Sequence, residues 1–131
     1  MREIVLRLKI SPIAKQSVRQ GKSKSGKKVF YQEDRYKVWK ETTQWQIKAQ
    51  LPKDWIPFSK QVIVRKLQYC FKSKQRGPKT TRPDLHDNLN KLPFDAMNGL
   101  VYADDSLVWK IENLEKVYCE DNEIFIILEG D

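Results

Sequence analysis

Residues 82–108 read RPDLHDNLNKLPFDAMNGLVYADDSLV and hold five aspartates, Asp84, Asp87, Asp95, Asp104 and Asp105. They follow directly on residues 55–83, which contain no acid at all. The charge of the whole chain divides at the same place. Residues 1–83 carry 22 lysines and arginines against 5 acids, and residues 84–131 carry 3 against 12, within a formal net charge of +8. So basic a half suits a polyanionic partner, and the acids gathered beside it raise the question of what they hold between them.

Working outward from that stretch gives the fold class. Upstream, Ile4, Leu6, Leu8 and Ile10 alternate with Val5, Arg7 and Lys9, which predicts a half-exposed strand over residues 3–10. Residues 11–32 contain Lys15, Arg19, Lys22, Lys24, Lys27 and Lys28, no acid, and the glycine–serine text GKSKSGKK, the composition of a mobile basic loop. A helix is expected from Glu33-Asp34 to about Leu51. Its acids suit the dipole at the start, Tyr36, Trp39, Thr43, Ile47 and Leu51 share a face, and Pro52 ends it. A second strand fits Gln61 to Lys72, with Ile63, Leu67, Tyr69 and Phe71 on one side apart from Arg65. The exposed-looking text KSKQRGPKTTRP follows, and residues 59–82 as a whole hold eight lysines and arginines and no acid.

Within and beyond the aspartate-rich stretch, a short helix is expected inside residues 87–97, kinked or restarted by Pro93. Asn98-Gly99 is a turn signal, and strands are expected near 106–118 and 122–129, joined at Glu120-Asp121-Asn122. The order β, α, β, α, β, β predicts a single compact α+β domain over residues 1–131, with two helices and a mixed or mainly antiparallel sheet. Hydrophobic residues at 40% exclude a wholly disordered chain. No apolar run approaches the roughly 18–20 residues of a membrane span, and MREIVLRLKI is not a signal peptide. A cytoplasmic protein without a membrane partner is therefore expected. Cys70 and Cys119 have no zinc-type spacing and are expected to be buried free thiols.

Magnesium prefers hard oxygen ligands, and phosphodiester chemistry through such ions needs two to four converging carboxylates. Asp84 and Asp87 are spaced to share a face on entering a helix, and Lys91, four residues past Asp87, would rise from that same face. Of the adjacent pair Asp104 and Asp105, only one can point to a common site from the start of a strand. Plainer readings stand beside each of these. An aspartate ahead of a helix commonly caps it, Asp104-Asp105-Ser106 can be the turn that opens a strand, and Asp95 suits a helix surface or an outer layer of the site. His86 and Lys91 would ordinarily be solvated.

The order Asp-Leu-x-Asp-Asn-Leu-x-Lys, then Phe-Asp-Ala-x-Asn-Gly, then Asp-Asp-Ser, closely resembles the RusA family of Holliday junction resolvases, small dimeric endonucleases common in phages and prophages. The likeness is strongest over residues 82–108 and extends in outline to the whole chain. It implies a RusA-like fold and a crossover junction endodeoxyribonuclease that uses Mg2+, with Mn2+ as a substitute. Asp84, Asp87 and Asp105 match the metal-binding aspartates, and Lys91 matches the nearby catalytic lysine. The resemblance further implies a homodimer acting on branched DNA. Paired symmetric nicks would resolve four-way junctions in recombination and repair and leave 5′-phosphate and 3′-hydroxyl ends. The basic segments would line the DNA path, with Lys72, Lys74, Arg76, Lys79 and Arg82 joining Lys15, Arg19, Lys22, Lys24, Lys27 and Lys28. The chain departs from the family pattern in two ways. Two residues, Leu85 and His86, separate the first two aspartates where the family has one, so His86 is either a bystander in a small bulge or an added ligand. Pro93 falls where the family's helix usually continues.

Two rival readings remain. One is a non-catalytic nucleic-acid-binding protein whose aspartates only cap and whose Tyr31, Trp39, Trp45, Trp55 and Tyr69 stack on bases. The other is a family member made inactive by the altered spacing at Asp84.

Overall fold

The computed structural model describes residues 1–14, 26–86 and 89–131, with the backbone alone for residues 26–33. Alternation at the start of the chain produces β1 (Arg2–Leu8), which buries Ile4, Leu6 and Leu8 and leaves the intervening residues outside the core. The first helix, α1 (Gly26–Gln50), buries Trp39, Thr43 and Ile47, with Tyr36 and Leu51 packed at the margin as the spacing predicts. It begins earlier than Glu33-Asp34. Lys27 and Lys28 therefore belong to its first turn and not to a loop, since no breaker stands between Gly26 and Gln50. The expected basic loop residues Lys15, Arg19, Lys22 and Lys24 lie outside the described residues.

The second strand, β2 (Val62–Lys72), differs from its sequence reading in one respect. Its pairing with β6 (Glu123–Gly130) shifts register between Val64 and Lys66, a bulge at Arg65. Period-two alternation is thereby reset: Val62 and Val64 share the core with Leu67 and Tyr69, and Ile63 falls outside that cluster. The bulged Arg65 makes ion pairs with Glu112 and Glu129, which gives its displaced side chain charged partners.

The expected strand over 106–118 is divided. A single 3₁₀ turn (Asp105–Leu107) leads into β4 (Val108–Ile111), and β5 (Leu114–Cys119) follows. Both run parallel to β2 along one edge, β4 beside Val62–Val64 and β5 beside Leu67–Lys72. At the break, Glu112 N donates to Val64 O, Asn113 Nδ2 donates to Arg65 O and Leu67 N donates to Asn113 O. The break thus lies opposite the bulge. A two-residue β3 (Gly77–Pro78) pairs antiparallel with β5, and the sheet order is β1-β6-β2-β5-β3, with β4 beside β2.

The α+β class, the two helices and the mixed sheet are as expected, but among the described residues the sheet has six strands where the sequence suggested four. The second helix, α2 (Lys91–Met97), packs against α1 and contributes Leu92, Ala96 and Met97 to the core. Gly130 ends β6 in close approach to Phe58, where a Cβ would lie 2.7 Å from the ring and 2.6 Å from Gln61 O. Cys70 and Cys119 are free thiols, as expected, but only Cys70 is buried. The two line a common cleft with Lys66, Gln68 and Phe125, and burial, then a hydrogen bond with Cys119, pushes the Cys70 thiol up to about 12. Among the described residues no helix is long and apolar enough to cross a membrane.

Candidate functional site

Asp84, the first aspartate of the acidic stretch, does not stand on a helix. Residues 85–86 and 89–90 form turns, and α2 begins only at Lys91, after Asn90. Pro93 explains the late start. A helix running back through Asp87 would need a Pro93 N–H bonded to the Leu89 carbonyl, and proline has none. That carbonyl instead accepts the Tyr69 hydroxyl at 3.1 Å. Placed in the first helical turn, Pro93 costs no hydrogen bond, because the first four N–H groups of a helix have no partner inside it. In place of the expected helical face, Asp84 stands in a loop and Lys91 at the first position of the helix, while Asp87 lies outside the described residues. Asp84 has no helix to cap.

Side chains from the sheet hold this loop at both ends. Lys116 of β5 directs its Nζ to the carbonyls of Thr81 and Pro83, each at 2.6 Å, immediately before the exposed Asp84. The intervening Arg82-Pro83 peptide is cis. At the far end, Asn90 Oδ1 accepts the Tyr69 hydroxyl at 2.8 Å, and Asn90 Nδ2 donates to Leu85 O at 3.0 Å. Tyr69 is fully buried, and burial raises its hydroxyl above the ordinary tyrosine range, so it remains a proton donor at neutral pH.

The later aspartates lie in chain order on either side of a second buried tyrosine. Tyr102 donates its hydroxyl to Phe94 O at 2.8 Å, and its backbone bridges to Phe58 and Asn98, which fixes the segment between α2 and the 3₁₀ turn. Gly99 makes the reversal possible with φ +78°, and its N–H reaches Tyr102 O at 2.7 Å. Burial raises the Tyr102 hydroxyl above its ordinary range, and the carboxylates of Asp105, Asp95 and Asp104 raise it further. Those three charges are thus close enough to act on one phenol.

The pair Asp104 and Asp105 divides its duties. Asp104 caps the 3₁₀ turn, accepting Ser106 N at 3.1 Å, and hydrogen bonds from the Ser106 side chain and amide hold its carboxyl below the usual range. Asp105 is the half-buried first residue of the turn. The turn reading therefore describes Asp104, while Asp105 is left to face other groups. Asp95, read from sequence as peripheral, is half-buried on α2 and belongs electrostatically with Asp104 and Asp105. Its membership was not visible in the sequence, because it depends on Tyr102 being drawn in between α2 and the turn.

Among the described residues no three of His, Cys, Asp and Glu meet in a metal-holding arrangement. Asp87 and Asn88 lie outside them, so the expected convergence of Asp84, Asp87 and Asp105 falls partly beyond what is described. The donors on offer are carboxylates, whose hard oxygens fit magnesium, and the two thiols line the separate cleft noted above. His86 is exposed, as is Lys91.

The basic segment that runs into Asp84 is exposed at Lys72, Lys74, Arg76 and Arg82. Arg76 Nη1 donates to Ser73 O and Gln75 O of its own loop. Lys79 is more embedded, with its Nζ bonded to Thr81 Oγ1 and set over the rings of Phe71 and Tyr118. The aromatic residues offered by the stacking alternative are mostly committed to the fold. Trp39 and Tyr69 are core residues, and Trp55 packs edge-on against Phe58 beneath Arg2. Trp45 is 78% exposed, and the Tyr31 side chain lies outside the described ones.

A sheet with helices, an aspartate-rich stretch and an adjoining exposed basic segment fits the class of DNA-cleaving enzymes. Comparison with protein families agrees: the model described as endodeoxyribonuclease RusA matches residues 9–129. The chain belongs to the RusA family. No curated protein matches it.

Proposed function

We propose that the chain is a magnesium-dependent endonuclease that resolves four-way DNA junctions by paired, symmetric nicks, acting in recombination and repair in a bacterial cytoplasm on behalf of a phage or prophage. Membership of the RusA family over nearly the whole chain carries this reading. The half-buried Asp105, and the basic segment leading into Asp84, support it.

Asp84, Asp87 and Asp105 would hold the ion, each supplying carboxylate oxygen. Bound there, Mg2+ supplies an activated water and neutralises charge on the leaving oxygen. Lys91, exposed at the start of α2, presents an ammonium to the phosphate and stabilises charge that grows in the transition state. Lys72, Lys74, Arg76 and Arg82 contact phosphates along the duplex arms, which positions DNA without reading its sequence. Lys79 adds positive charge from a more fixed place. A two-fold dimer presents two such sites to a substrate with the same approximate symmetry, so opposed strands are cut alike.

The direct test is cleavage of a synthetic four-way junction and of a matched linear duplex, with Mg2+, with Mn2+ and with chelator. Paired nicks in the junction alone, dependent on either metal, are expected. Metal-independent binding without any nicking would favour the non-catalytic reading, and loss of nicking cured by deleting one residue of the Leu85-His86 pair would favour an inactive family member.

A further inference from the structure

We infer that Lys116 is a positioning residue for the metal site, acting on Asp84 through the backbone of residues 81–83; this rests on the proposed function above. Asp84 lies on a loop with no helix of its own beneath it, so its carboxylate can be no better placed than the chain before it. Among the described residues that chain is anchored by Lys116, with a further bond from Lys79. The Lys116 ammonium has three N–H donors and uses two on the carbonyls of Thr81 and Pro83, both at 2.6 Å. Bonds from a cation to a carbonyl are shorter and about twice as strong as neutral ones.

The arrangement follows from strand register. Pairing of Pro78 with Val117 brings the segment after β3 alongside Lys116, and Lys79 N donates to Lys116 O at 3.0 Å. The main chain of Lys116 thus fixes the start of the segment and its side chain fixes the end. Lys79 adds a bond to Thr81 Oγ1 at 2.8 Å. Lys116 is half-buried and has two of its donors occupied, unlike the exposed Lys72, Lys74 and Arg82. Its charge serves the fold of the loop, and the phosphate contacts fall to its neighbours. Groups that orient metal ligands from behind commonly change metal affinity or activity by about 10–100-fold when removed.

The test compares Lys116→Met, Lys116→Arg, Asp84→Asn and Asp105→Asn with the wild type. Mn2+ binding to the DNA-free protein is measured by titration calorimetry, and single-turnover junction cleavage is measured across a Mg2+ series. Lys116→Met is expected to bind Mn2+ about tenfold more weakly and to need correspondingly more Mg2+, while saturating Mg2+ restores most of the rate. Junction binding in Ca2+ stays at the wild-type level, and Lys116→Arg, which keeps two donors, recovers most of the Mn2+ affinity. If Lys116→Met does not fold, Lys116→Gln, with a shorter reach, takes its place. Wild-type Mn2+ affinity and Mg2+ requirement in the folded variant would overturn the inference, and so would a fall in junction binding equal to the fall in cleavage. If Asp84→Asn and Asp105→Asn are impaired but the Lys116 variants are not, only the positioning role fails. If the two aspartate variants bind metal and cut normally, the metal site itself is wrong and the inference goes with it.

Discussion

Two groups of cations in this protein have very different surroundings. In and beside the strands, Arg7 and Lys9 share Glu123, Arg65 joins Glu112 and Glu129, Lys66 reaches Glu115, and Lys110 reaches Glu112. Along residues 72–82, by contrast, Lys72, Lys74, Arg76, Lys79 and Arg82 form no ion pair with any described carboxylate. The first group is matched by acids from β5, β6 and their connections and contributes little net field. The second leaves its charge unanswered, and it is the segment that delivers the chain to Asp84. A net charge of +8 is therefore a poor guide by itself, because what matters for a polyanion is where the unmatched part lies.

If the unmatched cations bind DNA as proposed, the largest effect belongs to the aspartates proposed as metal ligands. Asp105→Asn, and equally Asp87→Asn, should abolish junction cleavage and leave junction binding unchanged or tighter. On the proposed mechanism the change removes a ligand that the ion needs and also removes negative charge beside phosphate. Cleavage assays paired with gel-shift titrations check this, and wild-type turnover in either variant would remove that residue from the site. Next comes Lys91→Ala, with turnover lowered by about 10² and binding little altered, read from single-turnover rates on saturated complexes. A variant that bound less but cut normally once bound would make Lys91 an ordinary phosphate contact.

Smaller, and aimed directly at the contrast, is the Lys74→Ala, Arg76→Ala double variant. Each lost phosphate contact should flatten the dependence of log affinity on log salt by about 0.9, so a change of roughly one to two units is expected for any branched DNA. The smallest effect is expected for Lys66→Ala with Lys110→Ala in the matched group, where the salt slope should equal that of the wild type. A slope that fell as far as in the loop variant would erase the distinction between the two groups.

Local periodicity carried much of the fold. Alternation at Ile4, Leu6 and Leu8 and helical spacing at Trp39, Thr43 and Ile47 are properties of one segment, and both segments bury those residues. Features set by two segments at once were harder to read. The bulge at Arg65 depends on the break at Asn113 and on acids at Glu112 and Glu129. Lys27 and Lys28 stand at a helix start where the dipole disfavours cations, which drew the expected boundary on to Glu33-Asp34. The five aspartates marked the region of the site, but their separate duties did not show in their order. Asp104 became a cap because Ser106 lies two residues on, and Asp95 joined the group because Tyr102 bridges α2 and the turn. Lys116 gave no signal at all. A lone lysine in a strand reads as surface, and only the pairing of β3 with β5 brings two carbonyls within its reach.

The place of β6 has a consequence for how the molecule comes into being. It is the last strand in chain order, yet it lies between the first, β1, and β2, pairing Leu8 with Ile124 and Leu67 with Ile126. Until β6 has been synthesised, β1 has no neighbouring strand among the described residues, and α1 alone receives it, through Gln50 and Gln46 on the backbone of Arg7 and Lys9. Contacts between such distant parts of a chain form slowly, because the loop between them must be closed before any of the pairing is gained. A nascent chain stalled before Glu123 would therefore display two unfinished strand edges. Such edges invite association with other chains until β6 arrives to pair with both.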